Sequence, residues 1–487
     1  MRLLPIFAAM CIACVAGFVF STNVHAQSVP RLFDISTAER PGPKTSAASI
    51  EEREIALGPV SLFSAAELDV PLMDGKVYRA RRISSEMRAL NDMTWHGALT
   101  SGKYRGDVIL TYRKGYVAGL IYGPDSVYEI VPRGSRHLLV KLDQGRFPDC
   151  GGSPVPEASA SEPASVLGST PDSGDRQDIL ILYTTATKNV MGGDSQAQAL
   201  AQQAVDVTNA AYANSRIRTR LRLVGSQEHV FTESGDSGND LAALRANATV
   251  QALRNANAAD LVSLMAEVTD VCGIGYLIGG LTQSESAYTL VARSCAVGNL
   301  TLAHEVGHNQ GSHHNPENAS TGFFPYSFGH YIDGNYRTIM SYTNPCTNGC
   351  PKGPHFSNPL VSYNGFPTGI VDERDNSRSI NNTADNVARY RYSGKSIRMS
   401  KYRDGETLHR RLARTITWTA NNVTGNIRVD ISYDEGLTWQ TLLANTANDG
   451  SETVNINGRV TKRARLRIVS LSDPAVSDSS PRNFGIL

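Results

Sequence analysis

The stretch His304-Glu305-Val306-Gly307-His308-Asn309-Gln310-Gly311-Ser312-His313-His314 constrains this chain more than any other. Two histidines four residues apart stand one turn apart on the same face of a helix, so both imidazoles reach a single metal ion. Glu305, beside the first, can hold a water at that metal with its carboxylate. A glycine three residues after the second histidine can take the left-handed conformation that ends a helix and turns the chain. That turn carries His314 back as a third ligand. Three nitrogen ligands with one position left open to water describe a catalytic zinc site, whereas a structural site closes the fourth position with protein. Only His314 has the required spacing, and its neighbour His313 reads as an exposed turn residue.

The pattern resembles the metzincin metallopeptidases. Thr338-Ile339-Met340-Ser341-Tyr342 is similar to the methionine turn that lies beneath the zinc in that clan, and Met340 follows His314 by 26 residues. His308-Asn309 and Cys272-Gly273-Ile274 resemble reprolysin-like bacterial proteases. Phe356-Ser357-Asn358-Pro359 resembles a segment of the peptidyl-Asp metalloendopeptidase group. Asn315 departs from both, which usually carry Asp after the third histidine; the residue is not a ligand. The resemblance implies a zinc-dependent endopeptidase acting on protein or peptide substrates. Its catalytic domain would be α/β (α+β), with a twisted sheet, a zinc-binding helix and an edge strand that pairs antiparallel with the substrate. His304, His308 and His314 would hold Zn2+, and Glu305 would be the general base on a zinc-activated water. Tyr342 matches a tyrosine that in the astacin- and serralysin-like branches binds zinc at rest and swings to the transition state; a cleft-wall tyrosine is the alternative.

The N-terminus reads as a signal peptide over residues 1–26. Arg2 is followed by a nearly unbroken apolar run from Leu3 to Phe20, and Val24-His25-Ala26 has the pattern of a cleavage site. The expected protein is therefore secreted, free of stable membrane association once the signal is gone, and monomeric. A net charge of +1, with no basic cluster, gives no reason to invoke nucleic acid. Of seven cysteines, Cys11 and Cys14 leave with the signal. Cys272, Cys295, Cys346 and Cys350 form an even set around the motif, suited to an oxidising compartment. We expect the pairs Cys272–Cys295 and Cys346–Cys350, with two other connectivities open.

Cys150 is the odd thiol. It closes residues 27–152, where short runs such as Val108–Tyr112 and Val117–Tyr122 suggest a small β-rich unit. Pro148-Asp149-Cys150-Gly151 resembles the cysteine switch of zymogens, in which a propeptide thiolate takes the fourth zinc position. Residues 27–152 are accordingly read as a propeptide, with Cys150 a zinc ligand in the zymogen alone. Residues 153–177, rich in Pro, Ser, Ala and Glu, read as a cleavable linker. Asp172, Asp175 and Asp178 line up at its end, and the peptidyl-Asp resemblance would allow self-processing before one of them.

Residues 178–393 are expected to form the catalytic domain. Strands at Ile179–Tyr183, Leu221–Val224 and Leu261–Met265 alternate with helices at Ser195–Tyr212 and Asp240–Asn255, an α/β order. Tyr276–Gly280 and Ala287–Val291 are further strand candidates, and a last helix is expected at Asn381–Tyr392. Asn299 is a candidate N-cap for the motif helix. From residue 394 the chain alternates apolar with polar residues and carries the turn signals Asp434-Glu435-Gly436 and Asn448-Asp449-Gly450, which predicts a C-terminal β-sandwich of immunoglobulin or fibronectin type over 394–487. Trp418 and Trp439 are expected in its core. A different function class stays open: a catalytically silent zinc-containing adhesin or binding protein acting through that last domain.

Overall fold

The computed structural model describes residues 29–39, 44–101, 104–156, 172–402, 405–436, 438–474, 476–480 and 482–487. The expected signal peptide, residues 1–26, and most of the expected linker lie outside these. Among the described residues no helix is long and apolar enough to cross a membrane.

The catalytic segment is built on a five-stranded sheet in the order Arg220–Glu228, Arg176–Tyr183, Leu261–Ala266, Tyr288–Ala292, Gly273–Gly275. The first four strands are parallel, and the last pairs antiparallel with Tyr288–Ala292 as the edge. The apolar runs of the three inner strands, Arg176–Tyr183, Leu261–Ala266 and Tyr288–Ala292, match burial on both faces, whereas Arg220–Glu228 at the other edge is mostly half-buried. The strand candidate Tyr276–Gly280 is irregular, and the edge beside the motif helix is Gly273–Gly275. The reason is space: a Cβ on Gly273 would meet Glu305 Oε1 at 2.7 Å, and one on Gly275 would meet the Glu305 carbonyl oxygen at 2.9 Å. Only glycine lets this strand lie flat against the motif helix.

Two helix expectations also shift. The predicted helix over Asp240–Asn255 divides into Ser237–Ala246 and Ala248–Ala256. Asn247 causes the break, because its side chain accepts hydrogen bonds from the Thr249 and Val250 amides and restarts the chain as an N-cap. The last helix runs over Asn376–Val387, earlier than Asn381–Tyr392, because Asp375 caps it by accepting from the Arg378 amide. The disulfides Cys272–Cys295 and Cys346–Cys350 both form. Closing the span from Cys272 to Cys295 constrains the unfolded chain by roughly 3 kcal/mol.

Residues before the linker form a nine-stranded antiparallel sheet, larger than the small unit expected. One face carries its own core around Trp95, Leu110 and Tyr128. The other, through Ile109, Leu120, Val131 and Val140, shares a core with the catalytic sheet. The helix Asp194–Asn214 lies between them and is buried along nearly its whole length. Its polar residues are paired across the junction: Gln203 Nε2 donates to the Ile109 carbonyl at 2.9 Å, Arg113 donates to Gln202 at 2.9 Å, and Arg88 reaches Asp206 at 3.2 Å.

Beyond residue 394, a three-stranded and a six-stranded sheet enclose a single core containing Ile416, Trp418, Val429, Leu466 and Phe484. Trp418 is where the sequence suggested. Trp439 is not: it is half-buried outside that core, with the Arg467 guanidinium 4.2 Å from its ring centre. Arg216 of the catalytic segment pairs with Glu435 at 2.8 Å. The three aspartates at the end of the expected linker are anchored in the folded chain. Asp172 accepts from the Ser393 amide, Asp175 pairs with Arg218 and Asp178 pairs with Arg222.

Candidate active site and metal centre

The motif helix runs over Thr301–Asn309 and is buried throughout. Leu300, in the left-handed conformation at φ 54°, precedes it as the cap residue, and no side chain caps it. Asn299 therefore does not cap the helix. It stands one residue too early, and its amide donates to Thr301 Oγ1 at 3.2 Å instead. At the other end Gly311 takes φ +86° and its amide bonds the His308 carbonyl at 3.1 Å, which turns the chain and returns His314. A Cβ on Gly307 would come within 2.7 Å of Met340 Sδ, so glycine in the middle of the motif is what seats the fully buried methionine against the helix.

His304, His308, His314 and Cys150 offer ligand atoms that all lie within 4.8 Å of one another. The His304 Nδ1–H donates to the Ile339 carbonyl at 2.7 Å and the His308 Nδ1–H to the Ser312 carbonyl at 2.9 Å. These bonds set both tautomers and aim both Nε2 lone pairs inward. Nε2 of His304 and of His314 are buried with no hydrogen-bond partner. Burial pushes all three imidazoles below their ordinary range, His308 to about 3, so each is neutral and free to coordinate. Buried lone pairs without partners, converging on one point, fit a metal ion bound by nitrogen ligands. His313 takes no part. Its Nδ1 accepts from the His314 amide at 2.8 Å, and the residue is half-buried rather than exposed.

Glu305 is fully buried beside this cluster, its Oε1 without a partner and its Oε2 3.6 Å from Cys150 Sγ. Burial pushes its carboxyl up to about 8, opposed by the Cys150 thiol and the charge on Lys352. The Tyr342 ring centre lies 4.2 Å from that of His314, and its hydroxyl donates to the Cys150 carbonyl at 2.9 Å. Cys150 Sγ is 3.9 Å from His308 Nε2. Burial, with the nearby Glu305 charge adding to it, pushes this thiol up in the polypeptide alone. Residues 149–154 run along the edge strand. Cys272 N bonds the Asp149 carbonyl at 3.1 Å, Gly151 N the Gly273 carbonyl at 2.8 Å, and Leu277 N the Pro154 carbonyl at 3.0 Å. Numbers rise together on both sides, so the strap runs parallel to the edge.

Two supporting residues were not singled out by their chemistry from sequence. Asn309 donates to the Tyr276 and Ser286 carbonyls and ties the end of the helix to the segment after the edge strand. Asn315, noted only as a departure, accepts from the Tyr342 amide at 3.0 Å and so joins the third histidine to the methionine turn. Arg337 and Lys352 line the cavity that also contains His304, Glu305 and Tyr342. His355 does not; its ring centre is 4.7 Å from that of Tyr363. Burial lowers Arg337 to about 10, with Asp149 pulling it back up, and lowers Lys352 to about 7, with the Arg337 charge adding to the effect.

Residues 175–357 match the family model Reprolysin_5, described as metallo-peptidase family M12. The chain is similar to a peptidyl-Asp metalloendopeptidase of Stenotrophomonas maltophilia (strain R551-3), 31% identical over 356 residues that cover 64% of this chain and 81% of that protein. It is also similar to one of Xanthomonas campestris pv. campestris, 29% identical over 340 residues covering 66% and 81%. A peptidyl-Asp metalloendopeptidase of Pseudomonas aeruginosa is 32% identical over 245 residues, which cover 44% of this chain and 40% of that protein. The chain belongs to the metzincin-type M12 metallopeptidases and is related to the peptidyl-Asp metalloendopeptidases, which makes it a metalloendopeptidase.

Proposed function

We propose that this chain is a secreted zinc metalloendopeptidase made as a zymogen, with residues 27–152 as its propeptide and 394–487 as an appended β-sandwich. The observation that carries the reading is the meeting of three neutral histidine nitrogens, two of them without a partner and the third facing the Cys150 thiol, with a buried carboxylate in one cleft. His304, His308 and His314 would hold the zinc, with Cys150 as a fourth ligand before activation. Bound zinc supplies a Lewis acid for the scissile carbonyl and lowers the pKa of water toward neutrality. Glu305 takes the proton from the attacking water and passes it to the leaving amine. A substrate pairs through its main chain with Gly273–Gly275. Antiparallel pairing there runs opposite to the strap, so residues 149–154 fill the cleft in an unproductive direction. The relatives are peptidyl-Asp metalloendopeptidases, and we carry a preference for an acidic residue at the cut to this chain as part of the proposal. The alternative of a catalytically silent binding protein is set aside because family membership makes the chain a peptidase.

The test is metal content measured beside peptide cleavage. The enzyme recovered from the full chain is expected to contain about one zinc per molecule, to cut proteome-derived peptides, and to lose cutting on chelation and regain it with zinc. Zinc-loaded protein that cuts nothing would sink the reading. Tyr342 donates its hydroxyl to a carbonyl oxygen in the strap, and we assign it the same donation to the substrate carbonyl as charge develops there. Tyr342→Phe is expected to lower kcat by roughly ten- to a hundredfold with little change in KM. Unchanged turnover removes the role.

A further inference from the structure

Arg337 and Lys352 are 15 positions apart in sequence and adjacent in space. Arg337 N bonds the Pro351 carbonyl at 3.0 Å, and Gly353 N bonds the Arg337 carbonyl at 2.8 Å. This parallel bridge sets Arg337 opposite Lys352. The Cys346–Cys350 disulfide braces the loop just upstream, and Gln144 Oε1 accepts from the Lys352 amide at 3.0 Å. Arg337 is 3% exposed and Lys352 6%. Neither forms an ion pair among the described residues. The Arg337 Nε and Nη1 are buried without any partner. Their cavity also holds His304, Glu305, Ser341 and Tyr342.

Two buried cations side by side, with donors unmet, are expensive in a folded chain unless an anion joins them. Within the catalytic segment Glu305 lines the same cavity and its charge acts on Lys352, yet it forms no ion pair with either cation. The strap that lies in the cleft adds a second acid, Asp149. Its charge acts on both cations, yet it pairs with neither and stays exposed at the cavity mouth. The need is therefore left for a group that enters the cleft. A carboxylate satisfies it well, because a guanidinium and an ammonium together offer several charge-assisted donors to two oxygens.

We infer that Arg337 and Lys352 are the specificity-determining pair of this peptidase, binding the side-chain carboxylate of an acidic residue next to the scissile bond. This rests on the peptidase reading above. It adds the residues that select the substrate, and it explains why an Asp precedes Cys150 in the strap: Asp149 brings an acidic side chain toward the same subsite while the cleft is closed.

The experiment expresses the full chain and compares the enzyme it yields with Arg337→Gln and Lys352→Met. Cut sites are mapped on proteome-derived peptides, and kcat/KM is measured on matched peptides with Asp or Asn at the selected position. Wild type is expected to prefer Asp by at least about a hundredfold, since a site built for a charged partner strongly rejects the analogue lacking it. Each variant is expected to fall to within about tenfold while still cutting the Asn peptide. A preference that survives in both variants overturns the assignment, as does a wild type with no acidic preference. A wild type that cuts nothing fails the peptidase reading itself, and the pair with it. N-acetyl-aspartate and N-acetyl-asparagine, added separately to wild type, give a readout that needs no variant to fold. Competitive inhibition by the aspartate alone is expected, and equal inhibition by both overturns the proposal.

Discussion

Glu305→Gln is expected to leave a folded, zinc-loaded protein whose peptide hydrolysis falls by roughly 10²- to 10⁴-fold, the usual contribution of a positioned general acid–base. The substitution keeps size and shape, so the packing of Glu305 against Gly273 and Gly275 is preserved. The residue lies outside the four-atom cluster that would take the metal, so zinc content is expected to stay at the wild-type level. What is lost is a carboxylate with one oxygen unpartnered and buried beside the histidines. The informative measurement is kcat and zinc content on the same preparation. A variant that holds zinc and keeps more than about a tenth of wild-type kcat would show that the proton passes elsewhere.

Removing the Cys150 thiol is expected to release activity from the uncleaved chain. Full-length Cys150→Ala should hydrolyse short peptides and mature faster than the wild-type precursor. The release should be partial. Three main-chain bonds still hold residues 149–154 to the edge strand and the residues flanking it, and Tyr342 still donates to the Cys150 carbonyl. The nine-stranded sheet also remains docked through the helix Asp194–Asn214. If the thiolate contributes as little as about 1.4 kcal/mol to closure, the open fraction rises about tenfold. Hydrolysis at the moment of purification, followed by the time course of size change on a gel, separates direct activity from faster processing. A Cys150→Ala precursor as silent and as slow to mature as wild type would leave Cys150 an incidental thiol.

The site was legible in the sequence because its core is local. The spacing of His304, Glu305, His308, Gly311 and His314 specifies a helix, a turn and a convergence of side chains through rules that span only a few residues. The strands Arg176–Tyr183 and Leu261–Ala266 were legible for the same reason, since a buried strand announces itself in its own apolar run. So were the two disulfides, where four cysteines bracket the motif. Asn299 misled because capping depends on the residue after it: once Leu300 turns left-handed, the candidate cap stands out of reach.

The sequence by itself therefore determined the reacting groups and the helix that carries them. The tertiary structure decided what surrounds them. No local pattern says that Gly273–Gly275 is the edge, since that follows from the distance at which the motif helix packs. None says that Arg337 lies against Lys352, or that Cys150 reaches His308 across 158 positions. The Ala- and Gln-rich helix Asp194–Asn214 reads as an ordinary helix, yet it is buried because a second sheet satisfies its polar side chains. Periodicity records how a segment relates to its own neighbours in the chain. Which distant surface comes to meet it depends on shape and hydrogen-bond complementarity between segments, and those exist only once both have folded.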